Sequence, residues 1–251
     1  MMIDASLLLP FFLALAASLL TFFSGFGLGT ILLPVFLVYA PPGAPQEAVL
    51  AVALVHITNN VLKGGLTFQW VEWKTAGWFG VSSMLGAFVG AWMLDSLSDA
   101  AAQRWIGLTL VVFSLFEWLP QKAHRKVEPK TPPFYVVGGL LSGFAGGASG
   151  HQGALRSYFL LRTGWSAQRV IATGTMVALA VDITRIPMYL SSGHGLSLHF
   201  LRWCVAGGMG ALLGSLVGRK LLPKLTLKPL QIFVALGLAI LGIRLLWVSY
   251  L

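Results

Sequence analysis

Apolar residues run through this chain in stretches of membrane length, and polar residues are concentrated in short connectors between them. The pattern predicts helical units at roughly 6–39, 46–69, 75–95, 102–119, 133–161, 168–190, 198–221 and 228–250. Two of these units are interrupted. FFSGFGLGTILLP (22–34) and SGFAGGASGHQGALRSYFLL (142–161) each place a glycine cluster inside an otherwise apolar segment, which predicts breaks near 25–29 and 146–153. A glycine break leaves backbone polar groups unpaired, and hydrocarbon cannot satisfy them. Such a break is tolerated at membrane depth only where it lines a protein-enclosed cavity. Paired interrupted segments therefore point to a transport site.

The one strongly polar connector, PQKAHRKVEPKTPP (120–133), divides the units into two sets of four. The division reads as a first transmembrane repeat at 1–119, a basic cytoplasmic linker at 120–132 and a second repeat at 133–251. Internal similarity supports it. Val55-His56-Ile57-Thr58-Asn59 lines up with Val181-Asp182-Ile183-Thr184-Arg185, and Gly86-Ala87-Phe88-Val89-Gly90 with Gly210-Ala211-Leu212-Leu213-Gly214. The second pair carries small residues at the spacing that lets helices approach closely in lipid.

Charge asymmetry sets the orientation. Lys122, Arg125, Lys126 and Lys130 of the connector, and Arg219, Lys220, Lys224 and Lys228 before the last unit, should all be cytoplasmic. Three units separate the two basic loops, and three full crossings would put them on opposite sides. The conflict disappears if the broken fifth unit enters and leaves on one face as two half-helices. Arg162 and Arg169 then fall inside and the Lys/Arg-free loop at 191–199 outside. The same logic places Lys63 and Lys74 inside and the acidic turn at 95–99 outside, so the repeats are inverted. The alternative is eight plain crossings with parallel repeats, which strands one basic loop outside. The expected fold is thus an all-α integral membrane protein of two inverted four-helix repeats, each opening with a Gly-broken, re-entrant helix.

Composition agrees with this reading. The 251 residues are 57% hydrophobic and 10% charged, with mean hydropathy +0.81, which excludes an ordinary water-soluble domain. The net charge of +9 would suggest a nucleic-acid partner in a soluble chain. Here the Lys and Arg side chains lie mostly in short loops between apolar segments, so no nucleic-acid partner is expected. Cys204 is the single cysteine, which excludes an intrachain disulfide. No basic stretch precedes the first apolar run, so the N-terminus reads as part of the fold rather than a cleaved signal.

Ionisable residues within spans are costly and mark candidate function. His56, Asn59, Asn60 and Lys63 recur at helical spacing in the second unit, as do Asp182, Arg185 and Tyr189 in the sixth, so each set shares a helix face. His56 and Asp182 occupy matching positions and are candidates to carry a coupled proton. A purely structural reading stands beside this: Asp182 and Arg185 neutralise each other at i,i+3, and His56 and Asn59 bond neighbouring backbone. Lys63 is expected to extend to the cytoplasmic interface. A half-helix that begins at mid-depth presents free N–H groups and a positive dipole end, which bind anions. Gly29 and Thr30 follow the first cluster, and His151, Gln152, Gly153 and Arg156 follow the second. Arg156 adds a planar fork for an anion one turn into the half-helix, unless the hairpin is shallow and the arginine marks a cytoplasmic end. Arg185 and Asn59 complete the expected substrate set. His194 and His199 lack a metal-ligand constellation, and no metal or cofactor is expected. GFGLG has no βαβ context for a dinucleotide. No H-E-x-x-H, P-loop, Cys pair or GxSxG occurs, which argues against an enzyme or an ATP-driven pump.

The Gly25-Phe26-Gly27-Leu28-Gly29-Thr30-Ile31-Leu32-Leu33-Pro34 segment resembles the glycine-rich opening of the repeats of the TauE/SafE sulfite exporter family. The second copy, Ser149 to Tyr158, keeps Gly153 but departs elsewhere: His151, Gln152 and Arg156 replace small or apolar residues, and Tyr158 stands where the motif proline would fall. The resemblance spans nearly the whole chain. It implies a multi-pass protein of a bacterial inner membrane that exports a small sulfur-containing or organic anion, such as sulfite, sulfoacetate or a related sulfonate. A proton-coupled secondary transporter working by alternating access is the leading expectation; a passive anion channel uses the same basic pore without coupling. A membrane scaffold is the reading without transport. The expected partners are the small anion and membrane lipid, with the oligomeric state open.

Overall fold

The computed structural model describes residues 5–24, 27–39, 45–118, 131–191, 195–221 and 228–248, and every element among them is helical. The connector at 119–130, Gly25, His194 and Lys224 lie outside the described residues, so the expectations that fall on them rest on sequence alone. The eight expected units become ten α-helices because both interrupted units divide. The first gives α1 (Leu8–Ser24) and α2 (Leu28–Tyr39), followed by α3 (Pro45–Thr67), α4 (Trp73–Ser96) and α5 (Asp99–Trp118). The second gives α6 (Pro132–Ser149) and α7 (Gly153–Leu160), followed by α8 (Ala167–Ser191), α9 (Leu198–Leu221) and α10 (Lys228–Val248). Pro45–Trp70, Trp73–Ser96, Ala167–Ser191 and Leu198–Lys220 are each long and apolar enough to cross a membrane.

Local chemistry explains the second break. Two prolines open α6, where their missing N–H groups are not needed. At its far end Gly150 has φ +75° and donates its N–H to the Gly146 carbonyl at 3.1 Å. That left-handed cap ends the helix, and only glycine adopts it without a Cβ penalty. The chain then restarts as α7 with Gln152 at the N-cap.

The two halves exchange partners. α4 of the first half packs on α6 of the second, and α9 of the second packs on α1 of the first. Glycines mediate both contacts. A Cβ at Gly86 or Gly90 would stand 2.3 Å from the carbonyl oxygens of Leu140 and Phe144; one at Gly210 or Gly214 would stand 2.1 or 2.3 Å from those of Phe11 and Leu15. The helices therefore touch backbone to backbone, as membrane helices do where small residues align. α5 packs on α10 through Gly107 and Gly242, and α3 on α8.

α3 is the centre of this arrangement: Ala48 to Ala53 and Val55 are all inaccessible to solvent. It runs antiparallel to α8. His56 and Asn60 meet Asp182, and Gly64, further along α3, lies against Met176, earlier in α8. At one end Glu47 accepts the backbone N–H of Ser197 at 2.5 Å, and at the other Glu72 pairs with Arg169 at 3.9 Å.

A candidate anion site where two helix breaks meet

The glycines of the two breaks touch. A Cβ at Gly27 would lie 3.5 Å from the Gly153 Cα and from Thr30 Oγ1, and one at Gly29 would lie 2.9 Å from the Gly150 carbonyl oxygen. The N-termini of α2 and α7 are therefore neighbours. The first N–H groups of both helices have no intrahelical acceptor, and both positive dipole ends meet here. Pro34, inside α2, lacks the N–H that would otherwise bond the Thr30 carbonyl one turn back, which leaves that carbonyl as an acceptor rather than a donor.

Around this point lie three buried side chains whose polar atoms have no protein partner among the described residues. They are His151 Nε2, Gln152 Nε2 and Oε1, and Arg156 Nη1. His151 and Gln152 are 2% exposed and Arg156 8%, so the arginine is not a solvent-facing helix end. Backbone N–H of Arg156 bonds the Gln152 carbonyl at 3.0 Å, and the i,i+4 spacing puts these two side chains on one face of α7. Gly174 of α8 makes room for the guanidinium; a Cβ there would come within 3.2 Å of Arg156 Nε. His151 is oriented by its Nδ1, 2.8 Å from the Ser149 carbonyl, and its ring stacks on Phe113 of α5 with centroids 5.8 Å apart. Nothing in the sequence pattern marks Phe113 as a neighbour of this site, because it is one apolar residue among many in α5. Thr30 is buried as well, at 3% exposure.

Beside these lies a closed network. His56 Nδ1 is 2.7 Å from Asp182 Oδ2, and Asn60 Nδ2 donates to the same oxygen at 3.0 Å. Arg185 donates to Asp182 Oδ1 from Nε at 3.1 Å and Nη2 at 2.8 Å, and from Nη1 to the Gly146 carbonyl at 2.7 Å. Arg185 is completely buried and each of its nitrogens is engaged, so the structure gives it a different task from Arg156. It neutralises Asp182 and closes the C-terminus of α6, where a cation complements the helix dipole.

Two residues take other partners than the sequence suggests. The sequence puts Asn59 beside the substrate, yet its Oδ1 bonds Ser18 Oγ at 2.8 Å and Ser215 Oγ at 2.7 Å between α1 and α9. Asn60, one position on, makes the contacts to Asp182 and His56 instead. The sequence also puts Lys63 at the cytoplasmic interface. It is instead 8% exposed, and its Nζ donates to the Thr21 carbonyl at 3.1 Å in the last turn of α1. That buried helix end needs a donor, and the lysine supplies it. Tyr189 does the same for α6 by donating to the Gly147 carbonyl.

His56 and Asp182 are 126 residues apart. The same separation relates Gly27 to Gly153, Lys63 to Tyr189 and Thr21 to Gly147. At this register Arg156 takes the place of Thr30, and Leu160, rather than Tyr158, takes that of Pro34.

The family model of the sulfite exporter TauE/SafE matches residues 10–245. The chain belongs to the TauE/SafE family. No curated protein matches it individually. As a TauE/SafE protein it is a multi-pass membrane protein of an exporter family, and both glycine breaks fall inside the matched span. Among the described residues no three His, Cys, Asp or Glu side chains gather as a metal site would require.

Proposed function

We propose that the protein is a secondary transporter that exports a small sulfur-containing or organic anion, of the sulfite or sulfonate class, across a bacterial inner membrane. The observation that carries this is Arg156: a buried guanidinium with an unpartnered nitrogen, one turn into a half-helix whose N-terminus abuts a second one. A buried charge without a partner costs several kcal/mol, on the order of 3–5 when a pair is broken. A ligand anion removes that cost. Thr30, Gln152, His151 and the backbone of Gly29 and Gly153 complete the site, while Arg185 and Asn59 support it from behind.

The repeats, 1–119 and 133–251 about the basic linker, are inverted in this reading. Antiparallel α3 and α8 support it, because counterpart helices in eight plain crossings with parallel repeats would run the same way. Rocking of the repeats about the contact between the breaks would expose the anion alternately to each side. His56 and Asp182, joined between α3 and α8, carry the coupled proton. The test is flux in proteoliposomes. Sulfite should move against its own gradient when a pH gradient is imposed; movement that is only ever downhill, at channel-like rates, would replace the exchanger with a channel.

A further inference from the structure

The unpartnered atoms of the site are not all donors. Arg156 Nη1, Gln152 Nε2 and the first N–H groups of α7 donate, and an oxyanion satisfies them. Gln152 Oε1 can only accept. His151 Nδ1 faces the Ser149 carbonyl at 2.8 Å, so that nitrogen carries the hydrogen and the neutral ring presents Nε2 as a second acceptor. Both acceptors are buried, in residues 2% exposed. An anion made only of acceptor oxygens, such as sulfate or the sulfite dianion, leaves both unmatched. A buried acceptor left unpaired costs about 1–3 kcal/mol.

We infer that the anion this site takes carries a hydrogen-bond donor of its own, an O–H group, and that Gln152 reads it through Oε1 while its Nε2 holds an oxyanion oxygen. The inference rests on the anion-site reading above and narrows it. It makes Gln152 the specificity-determining residue beside the charge-binding Arg156. The O–H has two chemical sources: a hydroxyl on the carbon skeleton of a sulfonate, or the acidic proton of hydrogensulfite. The oxyanion end is the same for both.

Isethionate and propanesulfonate separate the possibilities, since the second carries a methyl group where the first carries a hydroxyl. Binding of each to the purified full-length protein is measured by calorimetry, together with sulfite above and below its second ionisation. Isethionate should bind tighter than propanesulfonate by about tenfold or more, and Gln152→Leu should bring the two within about twofold. Equal sulfonates with a preference for hydrogensulfite over sulfite, lost in Gln152→Leu, would support the same assignment with the acid's own proton as the donor. Wild-type protein that binds all of these equally would overturn the inference and leave the anion site standing, with water on the acceptors. Discrimination that survives Gln152→Leu would overturn the role of Gln152. Failure of every sulfonate and of sulfite to bind the folded wild-type protein would instead remove the anion-site reading itself. The wild-type comparison needs no variant, so a misfolded Gln152→Leu protein does not spare the proposal.

Discussion

Replacing Gly86 by alanine tests whether the partner exchange between α4 and α6 holds the second break in place. The new Cβ would lie 2.3 Å from the Leu140 carbonyl oxygen and 2.8 Å from the Phe144 nitrogen. Carbon–oxygen contacts between packed helices settle at about 3.3–3.6 Å, so the helices must part by about 1 Å. Both obstacles are backbone, so no rotamer change relieves the clash. A gap of that size forfeits roughly a quarter to a half of each dispersion contact along the seam, including those at Gly90, Gly143 and Gly147. Overpacking of this kind costs about 1–3 kcal/mol, and we expect the upper end. Gly77, on the same helix, has nothing within 4 Å of the point where an alanine methyl would stand, and alanine there should gain about 0.5–1 kcal/mol through helix propensity. Chemical unfolding of both variants in detergent, followed by tryptophan fluorescence, gives the two shifts directly. Shifts of the same sign, or a Gly86→Ala change below about 0.5 kcal/mol, would refute the seam as described.

Asp182→Leu strands the Arg185 guanidinium in a fully buried position and should cost about 3–5 kcal/mol in the same unfolding assay, with Arg185→Leu added to it recovering part of the loss. Strict additivity in that double-mutant cycle would show that the pair is not coupled. Asn59→Ala removes an acceptor shared by Ser18 and Ser215, which still bond the Ala211 carbonyl and each other, and should cost about 0.5–1.5 kcal/mol of stability while leaving sulfite affinity within about twofold. A large loss of affinity in folded Asn59→Ala protein would return this residue to the substrate. Cysteines introduced at Ser191 and Gly195 should react with an impermeant reagent from outside the cell, and those at Lys122 and Lys224 only from the cytoplasm; opposite accessibility of the last two would restore plain crossings.

The breaks were legible because glycines clustered inside a long apolar run weaken a spanning helix at the very place where hydrocarbon most demands one. The charge pattern groups Arg169 with Lys74 on one side, and Arg169 meets Glu72, two residues before Lys74. The match of His56 with Asp182 was visible in the internal similarity, but their contact was not. A contact across 126 residues is a property of tertiary packing, which no local pattern carries. Asn59 and Asn60 differ by one step of about 100° around the helix. α3 is buried on every side from Ala48 to Ala53, so its apolar pattern has no solvent face to fix the phase. Lys63 misled for a related reason: near a basic loop it reads as an interfacial anchor, and the Thr21 carbonyl that claims it is 42 residues away.

The central claim is that Arg156 holds the transported anion, and sulfite affinity in wild type, Arg156→Ala and Arg156→Lys tests it most directly. Calorimetry on protein shown to be folded by its unfolding transition supplies the readout. Loss of a charge-assisted contact in a site shielded from water should cost about 1.5–3 kcal/mol, on the order of tenfold to hundredfold in Kd for Arg156→Ala. Arg156→Lys should recover only part of this, because an ammonium group keeps the charge but cannot engage two oxygens in one plane. Equal affinity in wild type and Arg156→Ala would contradict the account and leave the meeting of the two breaks without its ligand.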